Sequence, residues 1–353
     1  MRLGFLDGLR GWGAVVVVLF HVFHEGLPVG AKIGWLPFFL PFNAGNAIFV
    51  FFLVSGFALS IGYLSKGDLR SWIRIAAGRY VRLAVPVLGA CAIMNIALAT
   101  GLLRPPSERL PIFQDMLTFQ PSIEHLFRFA LLDVFLNYDF SATYIGALWT
   151  MSIELWGSVI VLMGVLLLRE LPGRIAILVL CSAALAFSQE QSASLLALFP
   201  AGVAMAEAYR AGWLERIGAK PGAVLLAVGV AAPFVLPQTV WAGSAASIAF
   251  VVGVIAWGPA RSFAEGKLSS RLGAISFPLY LVHGPVMWIV GEPLMRHFGQ
   301  DMAARLAIDI AIVALSFATA VAFLPVNWLA VRLAHAMGNG AVRLFQRAAL
   351  RFA

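Results

Sequence analysis

Long apolar runs alternate with short polar stretches along the whole chain. Ten runs are close to or above the ~20 residues with which a helix crosses a bilayer. They lie at about 9–25, 44–64, 83–101, 144–168, 174–189, 193–209, 221–237, 240–258, 273–292 and 303–331. The pattern predicts an all-α polytopic integral membrane protein with about ten transmembrane helices. Because no linker or repeat separates the runs, we expect one domain over 1–353.

The basic residues are distributed unevenly between the two sides of these runs. If the N-terminus is cytoplasmic, 19 of the 25 Lys and Arg residues fall in cytoplasmic segments. Such a bias is typical of inner loops, so both termini are predicted to be cytoplasmic. The net charge of +8 then reflects orientation in the membrane, and we expect membrane lipids rather than nucleic acid as partners.

Composition agrees with a lipid environment. Hydrophobic residues make up 61% of the chain and charged residues 12%, with a mean hydropathy of +0.89, which excludes a soluble globular protein. Cys91 and Cys181 both lie in apolar runs and indicate neither a disulfide framework nor a metal site. The first twenty residues resemble a signal peptide, but no small-residue cleavage site follows them, so they are predicted to be an uncleaved first span.

Two connections are unusual. Residues 66–82 show one apolar stripe among arginines, which predicts an amphipathic helix on the inner surface. The predicted outer loop at 102–143 is long, and 122–136 within it could form a helix. Long structured loops often bind ligands.

Ionisable residues within the apolar runs are the main functional candidates, since burying them in a membrane is costly. In the first helix, Asp7, Arg10 and His21 lie near one face, because eleven residues at 100° return to within about 20°. His21 falls near the middle of the membrane. The alternatives are that Arg10 only anchors the helix and that His21 is a neutral, hydrogen-bonded packing residue.

Two further helices place polar groups near the middle of the membrane. Glu154 lies about ten residues into the fourth run, where a carboxyl group is either protonated or paired. Ser276, Tyr280 and His283 form one stripe on the ninth helix, between two prolines. The alternatives are a packing role for Glu154 and simple interhelical hydrogen bonding for the stripe.

Helices one, four and nine thus place His21, Glu154 and His283 at a similar predicted depth. This agreement predicts a central polar cavity that opens to the cytoplasm past Arg10, Arg79 and Arg82. The arginines could bind phosphates or only anionic lipid headgroups. In the second helix Ser55-Gly56 lies at mid-span, where small residues more often indicate close helix packing.

Five motifs in order make the chain resemble acyltransferase family 3, the bacterial multi-spanning O-acyltransferases. The motifs are Leu6-Asp7-Gly8-Leu9-Arg10-Gly11 with His21, Phe51-Phe52-Leu53-Val54-Ser55-Gly56-Phe57, Arg79-Tyr80-Val81-Arg82-Leu83, Leu148-Trp149-Thr150-Met151-Ser152-Ile153-Glu154 and Ile275-Ser276-Phe277-Pro278-Leu279-Tyr280-Leu281-Val282-His283. The sequence departs from the family at Thr150, where serine is usual, and at Leu155, where a second acidic residue is frequent. It resembles the stand-alone form without a hydrolase-like domain.

The resemblance implies a cytoplasmic acyl-CoA donor, commonly acetyl-CoA, and a sugar hydroxyl of a surface or secreted glycan or glycolipid as acceptor. It implies an enzyme of the bacterial cytoplasmic (inner) membrane that uses no metal. The donor-binding candidates are Arg10, Arg79, Arg82, Ser55 and Tyr280. The supporting candidates are Asp7, His24, Trp149, Ser152, Ser276 and His283.

The reaction needs a base for the hydroxyl and stabilisation of a developing oxyanion. His21 is the candidate base, or a nucleophile that forms an acyl-histidine, and the sequence does not choose between these routes. Glu154 is expected to orient His21 or to accept a proton. A secondary transporter with a polar binding site at mid-membrane is the alternative of a different class, although no inverted repeat is visible. A membrane scaffold is a third, but it would not need these three residues at one depth.

Overall fold

The computed structural model describes residues 3–26 and 34–352, and α-helices dominate these ranges. The α-helices are α1 (Gly4–Phe20), α2 (Ala44–Lys66), α3 (Leu69–Ala99), α4 (Ile123–Arg128), α5 (Val134–Leu136), α6 (Thr150–Leu167), α7 (Arg174–Ala186), α8 (Gln191–Leu196), α9 (Leu198–Arg210), α10 (Trp213–Arg216), α11 (Ala219–Val235), α12 (Val240–Ala256), α13 (Gly258–Ala264), α14 (Lys267–Val286), α15 (Glu292–Phe298), α16 (Met302–Ala322) and α17 (Leu324–Phe352). Short π-helical segments cover His21–Gly26, Phe129–Asp133 and Met287–Gly291. Short 3-10 segments cover Leu36–Phe38, Leu40–Phe42, Pro106–Glu108, Pro111–Phe113, Phe140–Ala142 and Gly146–Trp149.

The prediction of an all-α polytopic membrane protein is confirmed. Within the described residues, seven helical segments are long and apolar enough to span a bilayer, namely Gly4–Glu25, Ala44–Lys66, Leu69–Ala99, Gly146–Leu167, Gln191–Arg210, Lys267–Phe298 and Met302–Ala322. An eighth is the pair α12 and α13, which is bent by 95°. Helices α7 and α11 are apolar but shorter, and they occupy the remaining two predicted runs. The number of spans that cross the membrane, and their orientation, stay predictions.

Two predicted boundaries are wrong. The stretch 66–82 is not a separate surface helix, because α3 runs without a break from Leu69 to Ala99. The last predicted span, 303–331, is divided: α16 ends at Ala322, and the chain continues as α17. Helix α17 packs antiparallel against α3, with Gly78 close to Ala334 and Gly338 close to Arg74. Helix α17 thus covers the face of α3 that carries Arg74 and Gly78. The apolar stripe faces other parts of the same chain, since the Trp72 indole nitrogen donates to the carbonyl of Leu162 on α6 at 2.8 Å and the Tyr80 hydroxyl donates to the carbonyl of Leu131.

Helices α1 and α14 pack as a parallel pair, and this pair positions the candidate site. A Cβ built on Gly11 would lie 2.5 Å from the backbone nitrogen of Gly273. The glycines let the two backbones approach closely, as small residues do in membrane helix pairs. Ten residues further along each helix are His21 and His283, which therefore lie at a common level.

The predicted helix in the long loop is confirmed, since helix runs without interruption from Ile123 to Leu136 through a π segment. The preceding part of the loop is held by Arg109, which is 6% exposed. Its guanidinium donates to the carbonyls of Arg104 at 2.6 Å and Met116 at 2.8 Å. It also lies over the ring of Trp288, 5.3 Å from the centroid. The loop is therefore ordered against the π segment that follows α14.

Candidate active site

The predicted central polar cavity is present. It has a volume of about 480 Å³ and lies between α1, α2, α3, α6, α14 and α17. Its polar lining residues are Asp7, Arg10, Ser55, Arg79, Arg82, Thr150, Glu154, Ser276, Tyr280 and Asn327. A cavity of this size is in the usual range for binding a small molecule.

Glu154 lies at the centre of a charged cluster on one wall of this cavity. Its Oε1 accepts hydrogen bonds from Arg79 Nη2 and from Ser55 Oγ. The two charged side chains are only 14% and 15% exposed. Arg79 Nε also donates to Ser158 Oγ at 2.7 Å, so α2, α3 and α6 are joined through one carboxylate. Burial of these charges is tolerable because each is paired.

Two further arginines complete the charge of the cavity. Arg10 lies close enough to Glu154, Arg79 and Asp7 to interact with their charges. Arg82 donates to Asn327 Oδ1 at 2.7 Å, and its guanidinium lies 5.8 Å from the ring centroid of Phe277. The lining therefore carries three guanidinium groups and two acidic side chains. This excess of positive charge suits an anionic ligand, and the guanidinium geometry suits phosphate.

Tyr280 closes the end of the cavity away from Arg10. Its hydroxyl donates to the carbonyl of Ala147 at 2.6 Å and lies 2.8 Å from Thr150 Oγ1. Ala147 belongs to the 3-10 segment before α6. The Thr150 hydroxyl therefore links α6 to α14 at this end of the cavity.

His21 and His283 meet one turn beyond Tyr280. His283 Nε2 lies 3.2 Å from His21 Nδ1, and the ring centroids are 5.0 Å apart. His283 is 2% exposed. Its ring is inclined by 60° to the ring of Tyr280, with 6.1 Å between the centroids. Neither histidine lines the cavity itself, so the histidine pair lies behind Tyr280 as seen from the arginines.

The structure does not bring Glu154 against His21. Thr150 is level with Tyr280, and from there α6 runs back toward Arg10 whereas α14 runs on to His283. Glu154 is four residues from Thr150 on α6, and His283 is three residues from Tyr280 on α14. At 1.5 Å per residue, Glu154 and the histidine pair are about 10 Å apart along the helix axes. The predicted common depth therefore holds for the two histidines and not for Glu154, because sequence position does not fix the relative shift of antiparallel helices.

The comparison with known families gives one result for this chain. The sequence profile described as an acyltransferase domain matches residues 3–326 of the 353. The chain belongs to acyltransferase family 3. It is therefore a membrane acyltransferase, which moves an acyl group from a donor to an acceptor. No curated protein and no solved structure matches it.

Most of the predicted site residues of this acyltransferase come together. The five predicted donor-binding residues all line the cavity, together with Asp7, Ser276 and Glu154. Four supporting residues, His24, Trp149, Ser152 and His283, lie outside its lining, and His283 forms the pair with His21. His24 belongs to the π segment and contacts the ring of Phe20, at 5.2 Å between centroids, Trp149 packs in an apolar cluster, and Ser152 is half-buried on α6.

Sequence reasoning missed two residues. Asn327 lines the cavity from α17 and accepts a hydrogen bond from Arg82. The feature of the sequence that could have indicated it is a single amide side chain within an apolar run. Glu25 Oε2 lies 3.4 Å from His21 Nε2, and the signal was its spacing of four residues on the same helix. Among the described residues, no group of three or more His, Cys, Asp or Glu could hold a metal ion.

Proposed function

We propose that this enzyme transfers an acyl group, commonly acetyl, from cytoplasmic acyl-CoA to a sugar hydroxyl of a surface or secreted glycan. We place it in the bacterial cytoplasmic membrane. The observation that carries the proposal is the arrangement along α1. A cavity lined by guanidinium groups lies at one end of this helix, and the histidine pair lies about 15 Å further along it. An anionic donor with a long flexible arm needs these two features at a distance.

The arginines are the proposed site for the phosphates of CoA. Arg79 is fixed by Glu154 and Ser158, and Arg82 by Asn327, so both present a preoriented guanidinium to the cavity. Preorientation reduces the entropy lost when a ligand binds. Aliphatic and aromatic side chains complete the lining, among them Ile48, Phe51 and Met151. They suit the uncharged arm of the donor.

His21 is the proposed reacting residue. In direct transfer, an imidazole nitrogen of His21 takes the proton of the acceptor hydroxyl as its oxygen bonds to the thioester carbonyl carbon. The carbon–sulfur bond then breaks, and the thiolate of CoA receives that proton. In the acyl-histidine route, the same nitrogen attacks the carbonyl carbon and the carbon–sulfur bond breaks, so that CoA leaves as a thiolate. The acceptor oxygen then bonds to the acyl carbon, the carbon–nitrogen bond breaks, and the proton of the hydroxyl passes to the thiolate. Both routes need an unprotonated nitrogen on His21.

The test uses the purified protein in detergent with radiolabelled acetyl-CoA and membrane vesicles of the host as the source of acceptor. We expect release of free CoA and transfer of label to the glycan fraction. His21→Ala should lower both by at least about 10²–10⁴-fold, the usual effect of removing a general base. The control is His335→Ala, which changes an exposed histidine on α17 and should leave both rates unchanged.

Two results would contradict the proposal. Normal CoA release by His21→Ala would show that the chemistry lies elsewhere. Uptake of a sugar into vesicles without any CoA release would favour the transporter alternative. Mass spectrometry of surface glycans from cells with and without the gene then identifies the acceptor.

A further inference from the structure

The contact between His21 and His283 restricts which ring nitrogens carry protons. His283 Nδ1 lies 3.2 Å from the carbonyl oxygen of Leu279. A carbonyl oxygen only accepts hydrogen bonds, so the proton of a neutral His283 is on Nδ1. Its Nε2 is then an acceptor, and this is the atom that faces His21.

The same reasoning fixes the tautomer of His21. Its Nδ1 lies 3.2 Å from His283 Nε2 and 2.9 Å from the carbonyl oxygen of Val17. Both neighbours are acceptors, so the proton of His21 is on Nδ1. If His283 instead donated from Nε2, His21 Nδ1 would be unprotonated, with its lone pair directed at the lone pairs of Val17. Of the two arrangements of neutral rings, only the first directs a ring proton at each of the two carbonyl oxygens.

The basic lone pair of His21 is consequently on Nε2. This atom lies 3.4 Å from Glu25 Oε2, and it accepts a hydrogen bond there when the Glu25 carboxyl is protonated. Glu25 is four residues further along the helix, and its side chain is 51% exposed. The reactive nitrogen thus faces away from the arginines and toward the more exposed end of α1. A π segment begins at His21, and such segments are frequent at functional sites.

We propose that His283 is a positioning residue that holds His21 as the Nδ1-protonated tautomer, so that the reactive lone pair lies on Nε2 beside Glu25. Its link to catalysis rests on the proposed function, whereas the tautomer itself does not. It follows that the acceptor hydroxyl meets His21 at Nε2, on the Glu25 side, and that the thioester carbonyl of the donor must reach this same atom in the acyl-histidine route.

The direct test is nitrogen-15 NMR of the full-length protein labelled at histidine, in detergent, above pH 8. Protonated and unprotonated ring nitrogens have well-separated shifts, and His21→Gln assigns the signals of His21. We expect a protonated Nδ1 and an unprotonated Nε2 in the unmodified protein. Glu25→Gln should move the Nε2 signal and leave Nδ1 nearly unchanged.

Variants at His283 connect the tautomer to turnover. His283→Phe removes the acceptor, so the NMR should show His21 as a mixture of tautomers. We expect kcat for CoA release to fall on the order of 10²-fold, with KM for acetyl-CoA unchanged. His283→Gln keeps an amide oxygen that accepts from Nδ1, and it should retain kcat within about tenfold. His335→Phe is the control for labelling and folding.

The outcomes separate this inference from the proposed function. A proton on His21 Nε2 in the unmodified protein overturns the inference, even if acetyl transfer is confirmed. Equal kcat for His283→Phe and His283→Gln overturns the positioning role. Absence of CoA release by the unmodified protein contradicts the proposed function alone, because the NMR result does not depend on activity.

Discussion

Glu154 offers the sharpest test of how the charged cavity works. Its carboxylate accepts from Arg79 and from Ser55, and its side chain is only 14% exposed. A hydrogen bond to a charged group contributes roughly 1.5–3 kcal/mol, and breaking a buried pair costs roughly 3–5 kcal/mol. Since the cavity solvates Arg79 in part, we expect Glu154→Leu to cost about 3 kcal/mol. Glu154→Gln keeps both acceptor contacts without the charge and should cost about half as much.

The assay is equilibrium unfolding in detergent, with Arg79→Leu and the double variant completing a cycle. Because Arg79→Leu removes the guanidinium that Glu154→Leu leaves unpaired, the double variant should be more stable than the sum of the two losses. We expect an interaction free energy of about 1.5–3 kcal/mol, in the range for paired residues. Turnover of Glu154→Gln at saturating acetyl-CoA should fall less than tenfold, because Glu154 lies about 10 Å from the histidine pair along the axis.

The reasoning is refuted if Glu154→Gln unfolds like the unmodified protein but loses 10²-fold or more in turnover. That result would assign a proton-transfer role to Glu154, as the sequence suggested, and not the fixing of Arg79. Additive losses in the cycle would show that the Arg79 contact contributes little.

Two other predictions concern donor binding and topology. Arg79→Ala and Arg82→Ala should each raise the Kd for acetyl-CoA, measured by calorimetry, by an amount equivalent to roughly 1.5–3 kcal/mol. Lysine at either position should restore binding only in part, because it lacks the guanidinium fork. Unchanged binding in the alanine variants would leave the anchoring of lipid headgroups as the role of these arginines. Reporter fusions at residue 215 should be cytoplasmic and fusions near residue 115 external, and a reversed signal at either position would contradict the ten-span topology.

The sequence predicted the membrane class and most of the cavity lining because both depend on local patterns. Apolar runs identify helices irrespective of tertiary structure, and spacing along one helix fixes which residues share a face. Arg10 and Asp7 on α1, and Ser276 and Tyr280 on α14, were identified in this way. Each pair lines the cavity as its spacing indicated.

Contacts between helices could not be predicted from apolar runs and spacing along a single helix. The run at 66–82 has the composition of a surface helix, yet it continues into α3, and α17 packs beside it. An amphipathic stripe records only that one face is covered, not whether lipid or another helix covers it. Asn327 was missed for the same reason, since nothing in its own run indicates that α17 returns to the cavity. The relative shift of α6 and α14, which separates Glu154 from His21, is likewise a property of packing.

The parallel packing of α1 on α14 gives a last prediction that joins fold to chemistry. Gly11 lies against Gly273, and ten residues on, about 15 Å, His21 lies against His283. A Cβ on Gly11 would lie 2.7 Å from the carbonyl carbon of Leu272, so Gly11→Val must push the helices apart at a cost of roughly 1–3 kcal/mol.

Because the histidine hydrogen bond spans 3.2 Å, a separation of even 1 Å would break it. Gly11→Val should therefore mix the tautomers of His21 in the NMR spectrum and lower kcat as His283→Phe does, although it touches neither ring. Gly62→Val is the matched control, since a Cβ there meets no neighbouring atom within 4 Å. If Gly11→Val lowers stability but leaves the His21 signals unchanged, the alignment of the histidines does not depend on the glycine contact, and the residues near His21 itself must hold it.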